Sequence, residues 1–512
     1  MYDIDQDASI CYRIKVRKSR GKTMAKHIFA RSKFLLQVSN RTGRDKRIQD
    51  GYILTENDKI LEVGPYTEEI GLRIIDKYGT SLKILGKEQS SEPVPMIEGV
   101  MLPGFVKAHG HDHESPIIGV AKDVPLTPWL DKAVNLFTGF MNNNREKLTS
   151  HFNKSPNLIA YLKARVDDIH YGITTTMVHH CNHNKYRVDE IVEANIQAST
   201  KMIVAIGSQD RNYAKDLLDK PYTIALDRVE ENYQKFKNTP RIRIIPGPDQ
   251  LFSNGPEILK ALKNWSREHN TLIHIHSSEE PNTTRWFRQE YGMTPIEYAK
   301  SIDFLDENTV VAHQVNCTDH DVEILRDTNT RVVHNPLANT ILGSGMPPVI
   351  KMLEMGIKMA ISTDGSGSAD NQNIIAAARL ASQYQKALNQ NASLLPAQKV
   401  LEMITVEPAE ILKFNCGSLD EGKDADFIIL DLTRPNLIPT RLDNLVENII
   451  WAADGTEAQY VVANGNVIKE DHQITGLDAK AILSDVQELS EMFADYAEKT
   501  EVVLETGAQG KN

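Results

Sequence analysis

MLPGFVKAHGH, residues 101–111, is the stretch from which the fold can be read. It is an apolar run with no helical period, and it ends in two histidines. On an extended strand residues two apart face the same side, so His109 and His111 share a face. Three further runs end in the same way. In TLIHIHSSE (271–279), Leu272, His274 and His276 share one face and Ile273 and Ile275 the other, with Glu279 three residues beyond His276. VVAH (310–313) ends in His313, and AISTDG (360–365) carries Asp364 at its end. Polar residues gathered at strand carboxyl ends are the mark of a parallel β/α barrel.

Working outward, Met101–Phe105, Thr174–Val178, Lys201–Ile206, Ile242–Pro246, Thr271–His276, Thr309–His313, Arg331–His334 and Lys358–Thr363 read as strands. Amphipathic stretches such as Pro256–His269 and Val322–Asp327 lie between them. Eight strand–helix units predict a distorted (β/α)8 TIM barrel over residues 101–416. The flanks are short strands with turns: Ile28–Val38, Gly51–Thr55, Lys59–Val63 and Leu82–Ile84, then Ala425–Leu430 and Gln459–Ile468. Residues 27–100 and 417–475 are expected to pair into one small β-sandwich from both chain ends. Residues 476–512 read as a helix with a tail fraying from Thr506, and residues 1–26 as a basic extension (Arg13 to Lys26) without an apolar signal core. That extension reads as solvated or vector-like, with a transit peptide as the alternative and Met24 as a candidate natural start. No internal repeat is present.

Composition narrows the class. With 41% hydrophobic and 25% charged residues the chain is that of a globular protein. A net charge of −11 argues against nucleic acid as a partner. No apolar run reaches the roughly 18 residues of a membrane span. Cys11, Cys181, Cys317 and Cys416 form no CxxC pair, which fits a reducing, cytoplasmic setting and excludes a cysteine-built zinc site. Fourteen of the 16 histidines lie between His109 and His334, so the chemistry is expected in the middle of the chain.

Three neutral imidazoles and one carboxylate suit one divalent ion, zinc first or ferrous iron, with a position left for water. Glu279 is placed to take a proton from that water and deliver it to the substrate. Asp364 and His313 would hold the second proton. Singly each element is weak: an isolated HxH or strand-ending Asp-Gly is more often structural. Their joint occurrence at strand ends reverses that.

These residues resemble the amidohydrolase superfamily, in its aminohydrolase branch of chlorohydrolases and guanine and adenosylhomocysteine deaminases, over about residues 27–470. Leu102–Phe105 with Ala108–His111 resembles "PGFVNAHTH", and Gly119–Leu130 resembles "GLADDLPLMEWL". Tyr171–Thr176 resembles "SGTTT", and His334–Asn339 with Leu342–Gly345 resembles "HNPxSNxxLGSG". Gly417–Asp426 resembles "GSLxxGKxAD". The resemblance implies His109, His111, His276 and Asp364 as metal ligands, Glu279 as proton shuttle and His313 as the group orienting water or substrate. Binuclear relatives bridge two ions with a fourth-strand lysine. Ile242–Leu251 offers none, which implies a single metal. The implied reaction is hydrolytic deamination of an amino-substituted aromatic heterocycle.

Departures from the pattern bear on the substrate. Thr127 and Pro128 stand where adenosylhomocysteine-type relatives carry a carboxylate before the tryptophan that matches Trp129. Gly247–Phe252 replaces their "GPHxPY". Both weigh against a nucleoside and toward a purine base, pterin or triazine. Candidate substrate contacts are Glu114, Trp129, His180, Asp249 and Asn339, with Glu114 and Asp249 accepting hydrogen bonds from an amino-rich ring. A hydrolase with another leaving group (chloride, alkylamine, or a cyclic amidine or amide) is the alternative. A non-catalytic scaffold is disfavoured by the complete ligand set. Relatives are commonly homodimers or larger, and the same is expected here.

Overall fold

Apolar runs without alternation become strands covered on both faces. The computed structural model describes the backbone of residues 27–509 and the side chains of 27–500. Its strands begin with β1 (His27–Leu36), β2 (Arg47–Glu56), β3 (Lys59–Pro65), β4 (Leu82–Ile84) and β5 (Ile97–Pro103). The middle of the chain supplies β6 (Phe105–Lys107), β7 (Ile173–His180), β8 (Lys201–Ser208), β9 (Ile242–Pro248), β10 (Ile273–Ser277), β11 (Thr309–His313), β12 (Arg331–His334) and β13 (Met359–Ile361). Last come β14 (Phe427–Asp431), β15 (Ala458–Ala463), β16 (Asn466–Glu470) and β17 (Gln473–Ile474). The expected basic extension, residues 1–26, lies outside the described residues, as do residues 510–512.

β6 to β9 form one four-stranded parallel sheet in chain order, and β10 to β13 a second. The halves meet at two seams. A single parallel bridge, Gln250 to His276, joins them beyond β9. At the other seam Ser362 Oγ accepts from His109 N at 3.1 Å and donates to His109 O at 2.6 Å. Below it, the Met403 and Ile404 carbonyls accept from Ile361 N and Val106 N. These seams distort the barrel. Inward-facing Val106, Met177, Ile203, Ile245, Val310 and Val333 plug its interior, while outward residues such as Ile273 and Ile275 join the helices. The mouth above the plug is where polar groups collect.

The strand expected at Met101–Phe105 is two strands. Met101–Pro103 belongs to β5, which pairs with β1 and β14, whereas β6 pairs with β7. Gly104 lies at the break, where a Cβ would collide with the Thr174 side chain. Its amide donates to Asp426 O at 3.1 Å.

Both chain ends do build one β unit. It is a single nine-stranded sheet in the order β17-β16-β15-β14-β5-β1-β2-β3, with β4 on β1. Ile28, Leu35 and Ile53 share one core with Phe427, Ile429 and Val462. The strand expected at Gln459–Ile468 is the hairpin β15–β16, turning at Asn464 and Gly465, both at positive φ (51° and 69°). A terminal helix, Ala479–Gln509, lies against the helix Pro156–His170 and runs past the expected tail start at Thr506. Among the described residues no helix is long and apolar enough to cross a membrane.

Candidate metal centre

The strand ends deliver their polar residues to one place. The β6 ladder stops at Lys107, and His109 continues the extended path on Ser362 rather than on a neighbouring strand. His111 remains extended, at φ −134° and ψ 94°. His276 sits on β10 and His313 ends β11. Asp364 follows β13. His313 and Asp364 occupy left-handed backbone, at φ 75° and 71°. Strain of this kind concentrates at functional sites.

His111 Nδ1 lies 3.1 Å from the His179 carbonyl, and His276 Nδ1 lies 2.6 Å from the Asp249 carbonyl. A carbonyl only accepts, so both Nδ1 atoms carry the proton and both Nε2 atoms present a lone pair. Those two Nε2 atoms are 3.2 Å apart. Two lone pairs at that distance repel unless a positive charge lies between them. Asp364 Oδ1 is 3.1 Å from His109 Nε2 and 3.5 Å from His111 Nε2. Both ring nitrogens of the fully buried His109 lack a hydrogen-bond partner among the described residues. His109, His111 and Asp364 satisfy the spacing of a cation site, as do His109, His276 and His313. This donor set fits a borderline cation such as zinc. Burial, then the crowding of neighbouring imidazoles, holds His109 and His111 well below the usual histidine range, keeping both neutral.

Glu279 shares the mouth. Its Oε2 is 3.6 Å from His313 Nε2, and His313 Nε2 is 3.8 Å from Asp364 Oδ2. The amide nitrogens of Asn339 (3.0 Å) and Asn335 (3.4 Å) face His313 Nδ1. Donation there leaves the His313 proton on Nε2, toward Glu279 and Asp364. Burial, then the Asp364 charge, raises the Glu279 carboxyl well above its ordinary value. Burial also pulls His313 down to about 4.

Beneath the HxH segment lies a buried network that sequence reading passed over. Lys107 Nζ donates to Asp168 Oδ1 (2.8 Å) and Gln372 Oε1 (2.9 Å). Arg165 joins Asp112 (2.5 Å) to Asp168 (2.9 Å). Gln372 in turn accepts from Thr363 Oγ1 and donates to Asp364 O, at 2.8 and 3.1 Å. The network ties the first strand end to the last. A lysine two residues before His109 in an apolar run was the available signal.

A 720 Å³ cavity opens above the centre. Glu114, Trp129 and Asp249 line it together with Glu279 and His313. Glu114 Oε2 already accepts from Ser368 N (3.0 Å) and Oγ (3.1 Å), and burial beside Asp364 pushes its carboxyl up to about 8. Two of the expected contacts are elsewhere. His180 is fully buried outside the lining, its ring 5.0 Å from that of Tyr161. The alternation along β7 turns His179, not His180, inward. Asn339 stands behind His313, outside the lining. His274 is buried and stacked on His109, with ring centroids 4.9 Å apart.

Residues 100–468 match the Amidohydrolase family. Over 441 residues the chain is 30% identical to the 5-methylthioadenosine/S-adenosylhomocysteine deaminase of Caldanaerobacter subterraneus subsp. tengcongensis, covering 84% of this chain and 94% of that one. It is 29% identical over 412 residues to the 5'-deoxyadenosine deaminase of Methanococcus maripaludis, covering 79% and 92%. Among solved structures, atrazine chlorohydrolase from Arthrobacter aurescens TC1, complexed with zinc, superposes with a TM-score of 0.77 at 21% identity. That match covers 90% of this chain and all of the other. At this identity the likeness shows the fold.

Proposed function

The chain belongs to the amidohydrolase family, and from that premise we propose that it is a hydrolytic deaminase of a neutral, amino-substituted aromatic heterocycle. The observation that carries the reading is the 3.2 Å approach of the His111 and His276 Nε2 lone pairs beside Asp364, with Glu279 in the same cavity. His109, His111, His276 and Asp364 would hold one divalent cation, zinc first and ferrous iron as the alternative. When bound, such an ion lowers the pKa of water to about 7 and polarises the bond under attack.

The chain's own groups move the protons. Glu279 accepts a proton from the attacking water and passes it to the ring nitrogen next to the carbon being attacked. Oxygen adds at the amine-bearing carbon, the C–N bond breaks, and ammonia leaves with the second water proton handed on through Asp364, because both His313 nitrogens are already engaged and its Nε2–H can only donate. The His313 Nε2 proton points toward the space between Glu279 and Asp364, which keeps water or substrate oriented.

Charge supports the substrate class. Glu114, Asp131, Asp249, Glu279, Glu280 and Asp364 line the cavity, and among the described residues no lysine or arginine does. Away from the cation, a phosphate or carboxylate substituent would find no lysine or arginine to pair with, whereas ring amino groups find acceptors. The curated relatives are named for amino-purine nucleosides, and a 720 Å³ cavity has room for a substituted ring. Nucleosides therefore join the purine bases, pterins and triazines as candidates, despite Thr127 and Pro128. The setting we infer is cytoplasmic, with the chain acting as a homodimer or larger homo-oligomer.

The test is ammonia release from zinc- and iron-loaded protein over adenosine-type nucleosides, purine bases, pterins and aminotriazines, with a nucleoside phosphate and chloro- and alkylamino-triazines alongside. Ammonia from at least one neutral compound and none from the phosphate is expected. Release of chloride or alkylamine, with ammonia from nothing, would overturn the deaminase reading in favour of another leaving group.

A further inference from the structure

Beside the centre described above lies a second group of donors that takes no part in the proposed proton transfers. Cys181 Sγ, a ring nitrogen of His179 and a carboxylate oxygen of Asp249 all lie within 4.8 Å of one another. The same thiol lies within that distance of ring nitrogens of His111 and His113. His179 Nε2 is 2.7 Å from the Gly247 carbonyl, so it carries the proton and Nδ1 presents the lone pair. That Nδ1 is buried, has no partner among the described residues, and is 3.8 Å from Asp249 Oδ1. His113 is fully buried with both ring nitrogens unpartnered. Cys181, Asp249 and His113 also line the cavity, so a path from solvent exists.

We infer that Cys181, His179 and Asp249 form a second cation site for a thiophilic divalent ion of the zinc class, with the fourth position left to water. Sulfur with imidazole selects zinc, cobalt or cadmium over magnesium or calcium. Tetrahedral sites with bonds of about 2.0–2.3 Å have edges close to the 3.8 Å separation seen here. On binding, the thiol gives up its proton to solvent and ligates as thiolate. This is not the lysine-bridged position of binuclear relatives, because its donors come from the end of β7 and the segment after β9. An ion here would occupy the cavity wall on the Asp249 side and block substrate, so excess zinc becomes an inhibitor.

The experiment is a cobalt titration of the full chain, read by elemental analysis and by near-ultraviolet absorption, where sulfur-to-cobalt charge transfer is seen. The proposed catalytic set contains no sulfur, so that band reports the second site alone. Two cobalt ions per chain and the band are expected for the wild type. Cys181→Ser should lose the band and bind one ion, and Asp249→Asn should weaken the second ion while leaving the first. His109→Ala should lose the other ion and keep the band, which separates failure of the catalytic centre from failure of this one. A wild-type chain without the band, or Cys181→Ser with unchanged spectrum and metal content, would overturn the inference.

Discussion

Glu279 and the histidine lone pairs make separable demands. Among the described residues Glu279 belongs to no donor group with cation spacing, so Glu279→Gln should leave the metal content unchanged while kcat falls about 10²–10⁴-fold, the usual weight of a positioned general base. Elemental analysis alongside steady-state kinetics checks it, and a variant that also loses its metal would move Glu279 into the ligand set. The 3.2 Å pair of Nε2 atoms predicts the converse. A chelator removes the charge that holds them together, so activity and stability should fall together. For a ligand present at 1,000 times its Kd the stability lost is about 4 kcal/mol. Zinc should restore both in thermal melts, and magnesium, a poor match for imidazole nitrogen, should restore neither.

At the scale of the element, the strand ends are held by partners their own sequences do not name. Lys107→Met would leave Asp168 and Asp112 facing Arg165 alone in a fully buried network. Breaking such a network costs about 3–5 kcal/mol, and loosening the support of His109 and Asp364 should weaken zinc binding about 10–100-fold. Denaturant unfolding and a zinc titration measure the two effects. Lost stability with unchanged zinc affinity would make Lys107 structural only. Gly104→Ala should cost about 1–3 kcal/mol through its clash with Thr174, read as a shift in denaturant midpoint. The legible part of the sequence was the set of apolar runs ending in His109, His111, His276, His313 and Asp364, because each run had a chemical full stop. The phase of β7 was not legible. Met177 and Val178 are both buried, one in the barrel plug and one under the helices, so polarity could not say whether His179 or His180 faces inward. The break at Gly104 was hidden for a similar reason, since β5 and β6 are both apolar and only sheet membership separates them. Lys107 and Gln372 meet across 265 residues, which no local pattern reports.

For the whole molecule, the question is what the chain ends do for a site built from the middle. The outer sheet needs β14 beside β5, so the last quarter of the chain is part of the fold. The terminal helix has a more specific role. Its Val486, Leu489 and Phe493 are buried in one cluster with Phe137, Phe140, Leu126, Trp129 and Leu342. Phe493 meets Phe137 edge-on at 5.0 Å. Leu126, Trp129 and Leu342 line the cavity, so the helix braces that wall from behind. Phe493→Ala should therefore cost about 3 kcal/mol of stability, as large-to-small core changes do. It should raise KM about tenfold, equivalent to 1.4 kcal/mol, with kcat changed less than twofold and metal content intact. On the proposed mechanism that split follows because the wall would bind substrate in ground and transition states alike, whereas the proposed ligands and Glu279 would act in the chemical step. Kinetics well below the melting temperature, with metal content measured on the same sample, decide it. A fall in kcat at constant KM would mean that the helix acts on the centre itself rather than on the wall.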